Sequence, residues 1–458
     1  MRISRRTIKF DLGNETALLL NSTSGTIDII PNKLLKNPSS DTIKKLTERG
    51  HLLTKDREKT TLIRLTEIAK NHGQNIPYWF YILTTLRCNF NCPICYEKST
   101  HKTKDLNLAT LKKIIKSIEE IQKTQQILNK RMFIVLFGGE PLCGNKEVIE
   151  NILKECKRRQ WKVVIVTNGS LVKKYAKIFR TYRAVISDFR ITLDGPKHIH
   201  NQRRPQKNNL ETFSLVEDAI DNLLKERFTV KMQTILGNGN EKHLKELAKF
   251  LLTKNWFQNP NYQWRIEGSH DYANLDPQKD EISEGEMVKT LIDILKKYPE
   301  ISAKIKFESF KYLGHIVNSF EWLGTYKTYW GPKYGFCEPQ KGYHFVFSTD
   351  GKIFHCPRTV NNKTYLIGTV NKGLNSKSKK YKKSSVLEKQ KCKKCALNTF
   401  CGGGCAVQKV CYDHFDCQKY TLQIINEFLT LMRKEITKRS DPTNIVYINK
   451  PWIDFKNY

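Results

Sequence analysis

Thirteen cysteines are too many for casual use in a chain of 458 residues, and their positions are not scattered. Three stand at Cys88, Cys92 and Cys95, eight fall from Cys337 to Cys417, and only Cys143 and Cys156 stand apart. Three thiolates at C-x(3)-C-x(2)-C spacing can grip three irons of a cubane iron–sulfur cluster from one tight loop, which leaves the fourth iron open for a substrate. Electron transfer alone would normally use four thiolates. A zinc loop completed by a distant residue is the competing reading, but structural zinc prefers closed, paired spacings. Disulfides are a poor account of these residues in a reducing compartment.

The second group runs Cys337-x(13)-Gly351-x(4)-Cys356, then Cys392-x(2)-Cys395-x(5)-Cys401-x(3)-Cys405, then Cys417. Seven thiols do not divide into the sets of four that zinc uses. Cys411 is either an eighth ligand or a spare thiol, and Cys143 and Cys156 read as small buried apolar residues. Between the two groups lie further candidates. In Phe137-Gly138-Gly139-Glu140-Pro141, two glycines let backbone approach a ligand closely, and a carboxylate suits an ammonium.

These residues need a frame. From 78 to about 267 apolar or β-branched runs recur at 78–85, 132–137, 162–167, 186–193, 229–236 and 261–267. Helical stretches such as LKKIIKSIEEIQ and VIENILKEC lie between most of them. Such alternation predicts a parallel sheet with covering helices, and six units predict an open barrel with its chemistry at the carboxyl ends of the strands. Cys88 follows the first run, the Gly-Gly-Glu-Pro turn the second, Thr167-Asn168-Gly169 the third and Thr192-Leu193-Asp194-Gly195-Pro196 the fourth.

In that order these elements resemble the radical S-adenosylmethionine superfamily, whose signature is this cysteine spacing after the first barrel strand. The resemblance implies that Cys88, Cys92 and Cys95 hold a catalytic 4Fe–4S cluster. It also implies that Gly138, Gly139 and Glu140 meet the methionyl amino group of S-adenosylmethionine. The family often has serine where Thr192 stands and an arginine twelve residues later, where Arg204 stands; a guanidinium there would clamp the methionyl carboxylate, and the adjacent Arg203 could substitute for it. An aromatic residue usually precedes the third cysteine and lies against the adenine; Ile94 holds that place here. The chemistry so implied is reductive cleavage of the sulfonium to a 5′-deoxyadenosyl radical that abstracts hydrogen from an unactivated carbon.

The later cysteines match the seven-cysteine pattern of the SPASM domain at every position. By that similarity Cys392, Cys395, Cys401 and Cys417 would bind an outer auxiliary cluster, and Cys337, Cys356 and Cys405 an inner one. That makes three 4Fe–4S clusters in all. Some relatives supply a fourth inner cysteine shortly after the first; here an open iron, His344, Asp350, Cys411 or a water would take its place.

Residues 1–75 read as a separate module. TIKFDL, ALLLNS and TIDII alternate like strands of a small sheet, with a turn at 21–25. A helix follows from Asp41 as N-cap to Gly50, and Lys55–Thr60 reads as a polar linker. The module resembles the PqqD-type recognition element of maturases of ribosomally made peptides, where an exposed sheet edge would take a leader peptide by strand addition. A lid over the barrel is the plainer alternative. The expected architecture is therefore α/β: a peptide-recognition module at 1–75, a partial (β/α)6 radical SAM barrel at 76–300, a bridging region with a SPASM auxiliary-cluster domain at 301–440, and a tail at 441–458. Helices are expected at 284–297 and 420–436.

The balance of 79 Lys and Arg against 45 Asp and Glu, a net +34, attracts polyanions. Apart from a run at 371–394 the lysines are spread along the chain, no nucleic-acid module is recognisable, and an acidic peptide fits the charge equally well. No apolar run approaches the ~18–20 residues that span a bilayer, and no signal peptide opens the chain, so the expected location is the cytoplasm. The layout is similar to cyclophane-forming maturases of the darobactin type. It predicts a maturase that installs a carbon–carbon, ether or thioether cross-link in a precursor peptide, with flavodoxin or ferredoxin as electron donor. Sulfatase maturation is the alternative within enzymes. There an aspartate directly follows the second cysteine of the inner-cluster motif, where this chain has Pro357. A nucleic-acid-modifying enzyme comes third.

Overall fold

The computed structural model describes residues 2–72, 76–95, 97, 104–207, 210–269, 282–307, 312–322, 333, 335, 337–360, 362–378, 386, 389–405 and 417–452. Cys411 lies outside the described residues. Among the described residues no helix is long and apolar enough to cross a membrane.

The chain opens with three antiparallel strands, β1 (Thr7–Gly13), β2 (Thr16–Asn21) and β3 (Ile27–Pro31). A short helix at Asn32–Lys36 and two longer ones follow, α1 (Ser40–Glu48) and α2 (Lys55–His72). Two expectations fail here. The N-cap of α1 is Ser39, whose side chain accepts from the Thr42 amide, while Asp41 sits in the first turn paired with Lys45 at 2.6 Å. Both Ser and Asp cap well, and the serine two positions earlier wins one more half-turn of hydrogen bonds. Residues 55–60 are no linker but the first turns of α2, because Lys, Glu and Arg are good helix formers.

Next comes the strand–helix repetition: β4 (Tyr78–Thr85), α3 (Leu108–Thr124), β5 (Met132–Gly138), α4 (Lys146–Arg159), β6 (Lys162–Thr167), α5 (Val172–Thr181) and β7 (Ile186–Thr192). It continues with α6 (Lys197–Arg203), α7 (Phe213–Lys225), β8 (Val230–Leu236), α8 (Leu244–Thr253) and β9 (Tyr262–Gly268). The expected helices follow as α9 (Glu284–Lys297) and, later, α10 (Cys417–Thr437). Strands β4 to β9 lie side by side in sequence order and all parallel, and β10 (Ile305–Phe307) extends them. On the other edge β11 (His344–Phe347) runs parallel to β4. Antiparallel strands β12 (Lys352–Phe354), β13 (Gly368–Thr369) and β14 (Gly373–Leu374) complete the sheet.

One face of this sheet is apolar. Phe80, Ile82, Ile134, Leu136, Val163, Ile165, Phe189 and Ile191 are all fully buried, in one core with Ile114, Ile118, Ile152 and Leu153 from α3 and α4. Burial of each such side chain is worth about 1.5–3 kcal/mol. The same core takes in Phe10, Leu18, Leu20, Ile27 and Ile29 of the N-terminal sheet. That sheet is closed from the far end of the chain, because β15 (Val446–Tyr447) pairs antiparallel with β3. The segment expected to be a tail is thus part of the N-terminal sheet.

Candidate functional site

The loop after β4 carries the first three cysteines and is tied down on every side. The Arg87 guanidinium donates to both Asp105 oxygens at 2.9 and 2.5 Å and to the Cys143 carbonyl at 2.6 Å. Asn89 donates to the Ser170 hydroxyl and accepts from the Asn168 side chain, both at 2.9 Å, which anchors the loop to the end of β6. The Asn91 amide donates to the Pro205 carbonyl at 2.8 Å, stitching the loop to the residue after Arg204. Cys92 is buried and Cys88 and Cys95 are half-buried, as is Ile94 between them. Burial pushes the Cys95 thiol up to about 11 and raises Cys88 and Cys92 as well. Metal binding at such thiols must release their protons.

The two glycines at the end of β5 serve backbone packing. A Cβ on Gly138 would lie 2.2 Å from the Thr85 carbonyl oxygen, and one on Gly139 2.5 Å from that of Arg87. Only glycine lets the second turn lie this close to the root of the cysteine loop, and the Glu140 amide then donates to the Arg87 carbonyl at 2.8 Å. The Glu140 carboxylate points inward. It accepts from the Thr167 hydroxyl at 2.7 Å, the Asn168 amide at 2.7 Å and the Leu142 amide at 3.1 Å. Burial pushes it up to about 7 against those donors. Glu140 therefore locks the second and third strand ends together.

At the end of β7, Thr192 is half-buried and stands opposite Gln233 of β8. The fully buried Asp194 takes the Arg204 Nε at 2.6 Å on one oxygen and the Ile235 amide at 2.8 Å on the other. Burial disfavours its charge, but Arg204 and Arg203 hold its carboxyl below the usual range. Arg204 Nη1 stands 4.0 Å from Cys92 Sγ, whereas Arg203 reaches the Ile235 carbonyl at 3.3 Å. Of the two adjacent arginines, Arg204 is the one that meets the cysteine loop.

The later cysteines fall into two groups. Burial raises the Cys395 thiol, with Cys417 and Cys392 adding to it, and pushes Cys401 up to about 11, with Cys417 and Cys395 adding to it. Cys356, also pushed up to about 11 chiefly by burial, feels Cys405. Cys405 packs on an apolar cluster with Leu83, Leu86, Tyr81 and Phe137, which flank the first cysteine loop and the glycine turn. Cys337 is half-buried and packs against the main core. Two zinc–sulfur bonds of about 2.3 Å would hold thiolates within ~4.6 Å of one another. Among the described residues the group of three metal-ligating side chains that converges within 4.8 Å is His198, His243 and Glu246, and no three cysteines do so.

Sequence reasoning gave no role to Asp194, Asn89 or the Arg87–Asp105 pair. Asp194 stood inside a quoted motif, and its adjacency to Thr192 was the available signal. The others carry none, because their partners are distant in sequence.

Residues 82–251 match the family model described as the radical SAM superfamily. The chain thus contains a radical SAM domain, and proteins of that superfamily carry a 4Fe–4S cluster and use S-adenosylmethionine. More particularly, it is similar to a cysteine-type anaerobic sulfatase-maturating enzyme of Clostridium perfringens, 24% identical over 69% of this chain and 85% of that protein. Among solved structures it shares its fold with anSMEcpe with bound AdoMet and Cp18Cys peptide (TM-score 0.57, 18% identity, 79% of this chain and 99% of that one). It also shares it with Streptococcus suis SuiB bound to precursor peptide SuiA (TM-score 0.54, 14% identity, 89% of this chain and 96% of that one). Residues 76–458 make up less than 89% of the chain, so the likeness to SuiB extends into the N-terminal module.

Proposed function

We propose that the chain is a radical SAM/SPASM maturase that installs a cross-link, of carbon–carbon, ether or thioether type, in a ribosomally made precursor peptide. The observation that carries this reading is the meeting of Cys92, Arg204 and Asp194 at the carboxyl end of a parallel sheet, beside Cys405 of the second cysteine group, which packs on the same strands. In this reading β4 to β9 are a partial barrel. Cys88, Cys92 and Cys95 hold the catalytic cluster, and Cys337, Cys356 and Cys405 with Cys392, Cys395, Cys401 and Cys417 hold two auxiliary ones. S-adenosylmethionine lies among Ile94, Gly138, Gly139, Thr192 and Arg204, with Glu140 fixing the turn beneath it. The bound cofactor supplies a 5′-deoxyadenosyl radical; the chain's residues orient it, exclude water and present the substrate. Electrons come from a flavodoxin or ferredoxin.

The leader peptide binds the N-terminal module. Support comes from the strand order, which leaves β1 at the edge of its sheet, next to a groove lined by Lys9, Phe10, Asp11, Leu12, Asn426, Leu429, Thr430 and Arg433. An extended peptide added to β1 would gain main-chain hydrogen bonds and meet Lys9 and Arg433. Co-expression with a candidate peptide encoded nearby, followed by mass spectrometry, tests the function: a loss of two hydrogens per cross-link is expected. The K9E/R433E variant should bind that peptide more weakly. Deletion of 1–75 is the poorer test, because the module shares its core with the sheet.

The second reading, sulfatase maturation, is favoured by the relatives at 24% identity. Pro357 speaks against it, since it stands where those enzymes have an aspartate. Incubation with a cysteine-containing sulfatase peptide separates the two: a formylglycine product would replace the first reading by the second.

A further inference from the structure

Away from the cysteine sets, three ligating side chains converge beyond the carboxyl ends of β7 and β8. His198 lies in the first turn of α6, which follows β7 through Gly195 and Pro196. His243 ends a 3-10 turn at Glu241–His243, and Glu246 sits in the first turn of α8, both after β8. Each of the three offers one ligand atom, and these atoms all lie within 4.8 Å of one another. The two imidazole rings are 5.1 Å apart at an interplanar angle of 84°, and His243 Nδ1 is 3.5 Å from Glu246 Oε2. His198 and Glu246 are exposed and His243 is half-buried, so a small ion reaches them from solvent.

One buried side chain fixes the two segments against each other. Asn240, only 1% exposed, donates to the Asp194 carbonyl at 2.7 Å and to the Ile235 carbonyl at 2.9 Å, and accepts from the Gly237 amide at 2.8 Å. Its own carbonyl accepts from the His243 amide at 3.1 Å. The loop that carries His243 is thus fastened to the residue from which the chain turns into α6. Support of this kind, one layer behind the ligands, keeps them within reach of a common ion. The three groups have little other work. The His243–Glu246 contact is a partly exposed i,i+3 pair, which contributes little on its own. Among the described residues the His198 ring makes no hydrogen bond.

We propose that His198, His243 and Glu246 form a binding site for a divalent transition-metal ion, zinc first, with water completing the shell. The inference goes beyond the peptide-modifying reading and does not depend on it. Two imidazoles and a carboxylate are a zinc donor set, and three protein ligands leave a fourth position open. Tetrahedral zinc with bonds of about 2.0–2.2 Å spaces its ligand atoms by roughly 3.3–3.6 Å, so the side chains close by at most about 1.5 Å, a small rotamer adjustment at the surface. Calcium and magnesium fit less well, because they take oxygen ligands. Lys242 and Lys245 flank the ligands in sequence and oppose a dication, so a micromolar affinity is expected. Bound zinc would join α6 to α8. Arg204 caps the carboxyl end of α6 and meets Asp194 and Cys92, so the ion would brace the helix that delivers this arginine.

The iron-loaded protein is dialysed to equilibrium against micromolar zinc chloride, and its zinc and iron are measured by plasma mass spectrometry. Wild type should hold one zinc per chain more than H198A/H243A, a difference from which any zinc on the cysteines cancels. E246A should weaken binding by roughly tenfold or more, at least the effect of losing a group behind the ligands. At one equivalent, zinc-edge X-ray absorption should show nitrogen and oxygen neighbours at about 2.0–2.2 Å. Zinc should also raise the melting temperature of wild type more than that of the double variant. Equal zinc in wild type and H198A/H243A overturns the site. A sulfur shell at about 2.3 Å in place of nitrogen and oxygen does the same. Iron content and the zinc-free melting temperature report whether the double variant folds. Should it not, H198A and E246A decide singly, and wild-type zinc affinity in both overturns the proposal.

Discussion

Arg6 of the N-terminal module donates its guanidinium to the main-chain carbonyls of Cys395 and Lys393, 389 and 387 residues away. The side chain is buried, with Glu58 3.9 Å from its Nε. Burial lowers its affinity for the proton, and Glu58 and the nearby cysteines Cys395 and Cys392 partly restore it. One charged group thus ties the opening sheet to the loop that would ligate the outer auxiliary cluster.

Replacing Arg6 by Gln removes charge-assisted bonds worth roughly 1.5–3 kcal/mol each and leaves Glu58 without its buried cation. The melting temperature should fall, and the purified protein should lack about one cluster's worth of iron. Iron assay and a thermal melt are the measurements. Wild-type values for both would mean that the contact positions nothing.

Arg204→Gln should weaken S-adenosylmethionine binding by roughly 1.5–3 kcal/mol, or about ten- to a hundredfold in Kd, while Arg203→Gln should change it little. Calorimetric titration of the iron-loaded variants decides between them. The reverse result would shift the arginine assignment by one residue.

C88A/C92A/C95A should lose one cluster's iron and all 5′-deoxyadenosine formation while keeping the iron of the later cysteines. Cleavage of S-adenosylmethionine by that variant, followed by chromatography, would move the catalytic centre elsewhere.

Two glycines make a matched pair. Gly138 has φ +137° with the Thr85 carbonyl in the way of a Cβ, whereas Gly13 has φ +75° with open space around it. Gly138→Ala should cost about 3 kcal/mol or more from strain plus overpacking, and Gly13→Ala only about 1–2 from the left-handed backbone. Denaturant melts showing equal losses would mean that the close approach of the two turns is unimportant.

His200 is fully buried, and burial lowers it to about 3. Its Nδ1 accepts from the Asp194 amide at 3.2 Å, a neutral-ring arrangement. Below about pH 6.5 the unfolded chain takes up a proton that the folded ring refuses until about pH 3, so stability falls through that window as pH drops. The slope from this group is up to about 1.4 kcal/mol per pH unit. His200→Asn should flatten the melting curve between pH 6.5 and 5 relative to wild type; parallel curves would assign the acid sensitivity to other groups.

The strand–helix order of the large sheet was legible because each strand's buried face is a run of Ile, Val, Leu and Phe that helices of matching period cover. The cysteine sets were legible because ligand loops keep their spacing in sequence. What escaped depends on tertiary context. The α2 helix was read as linker where its charged face hides the period, although Leu65 beneath it is buried. Arg6 looked like one cation among many, and Asp194 gained its meaning only when Arg204 and the Ile235 amide closed around it. The pairing of β15 with β3 joins two short segments more than four hundred residues apart, which no local pattern announces.

That last pairing orders events during synthesis. Strand β3 is synthesised more than four hundred residues before its partner at Val446–Tyr447, and before Trp452, which fills the space over Gly25 where a Cβ would meet it at 2.2 Å. While the intervening residues are translated, tens of seconds at about 5–20 residues per second, the Ile27–Pro31 edge lacks that partner. An unpaired apolar edge is a template for wrong partners. The nascent chain therefore exposes a sticky strand until Val446–Tyr447 arrives, and host strains rich in holdase chaperones should yield more soluble protein than slower growth alone.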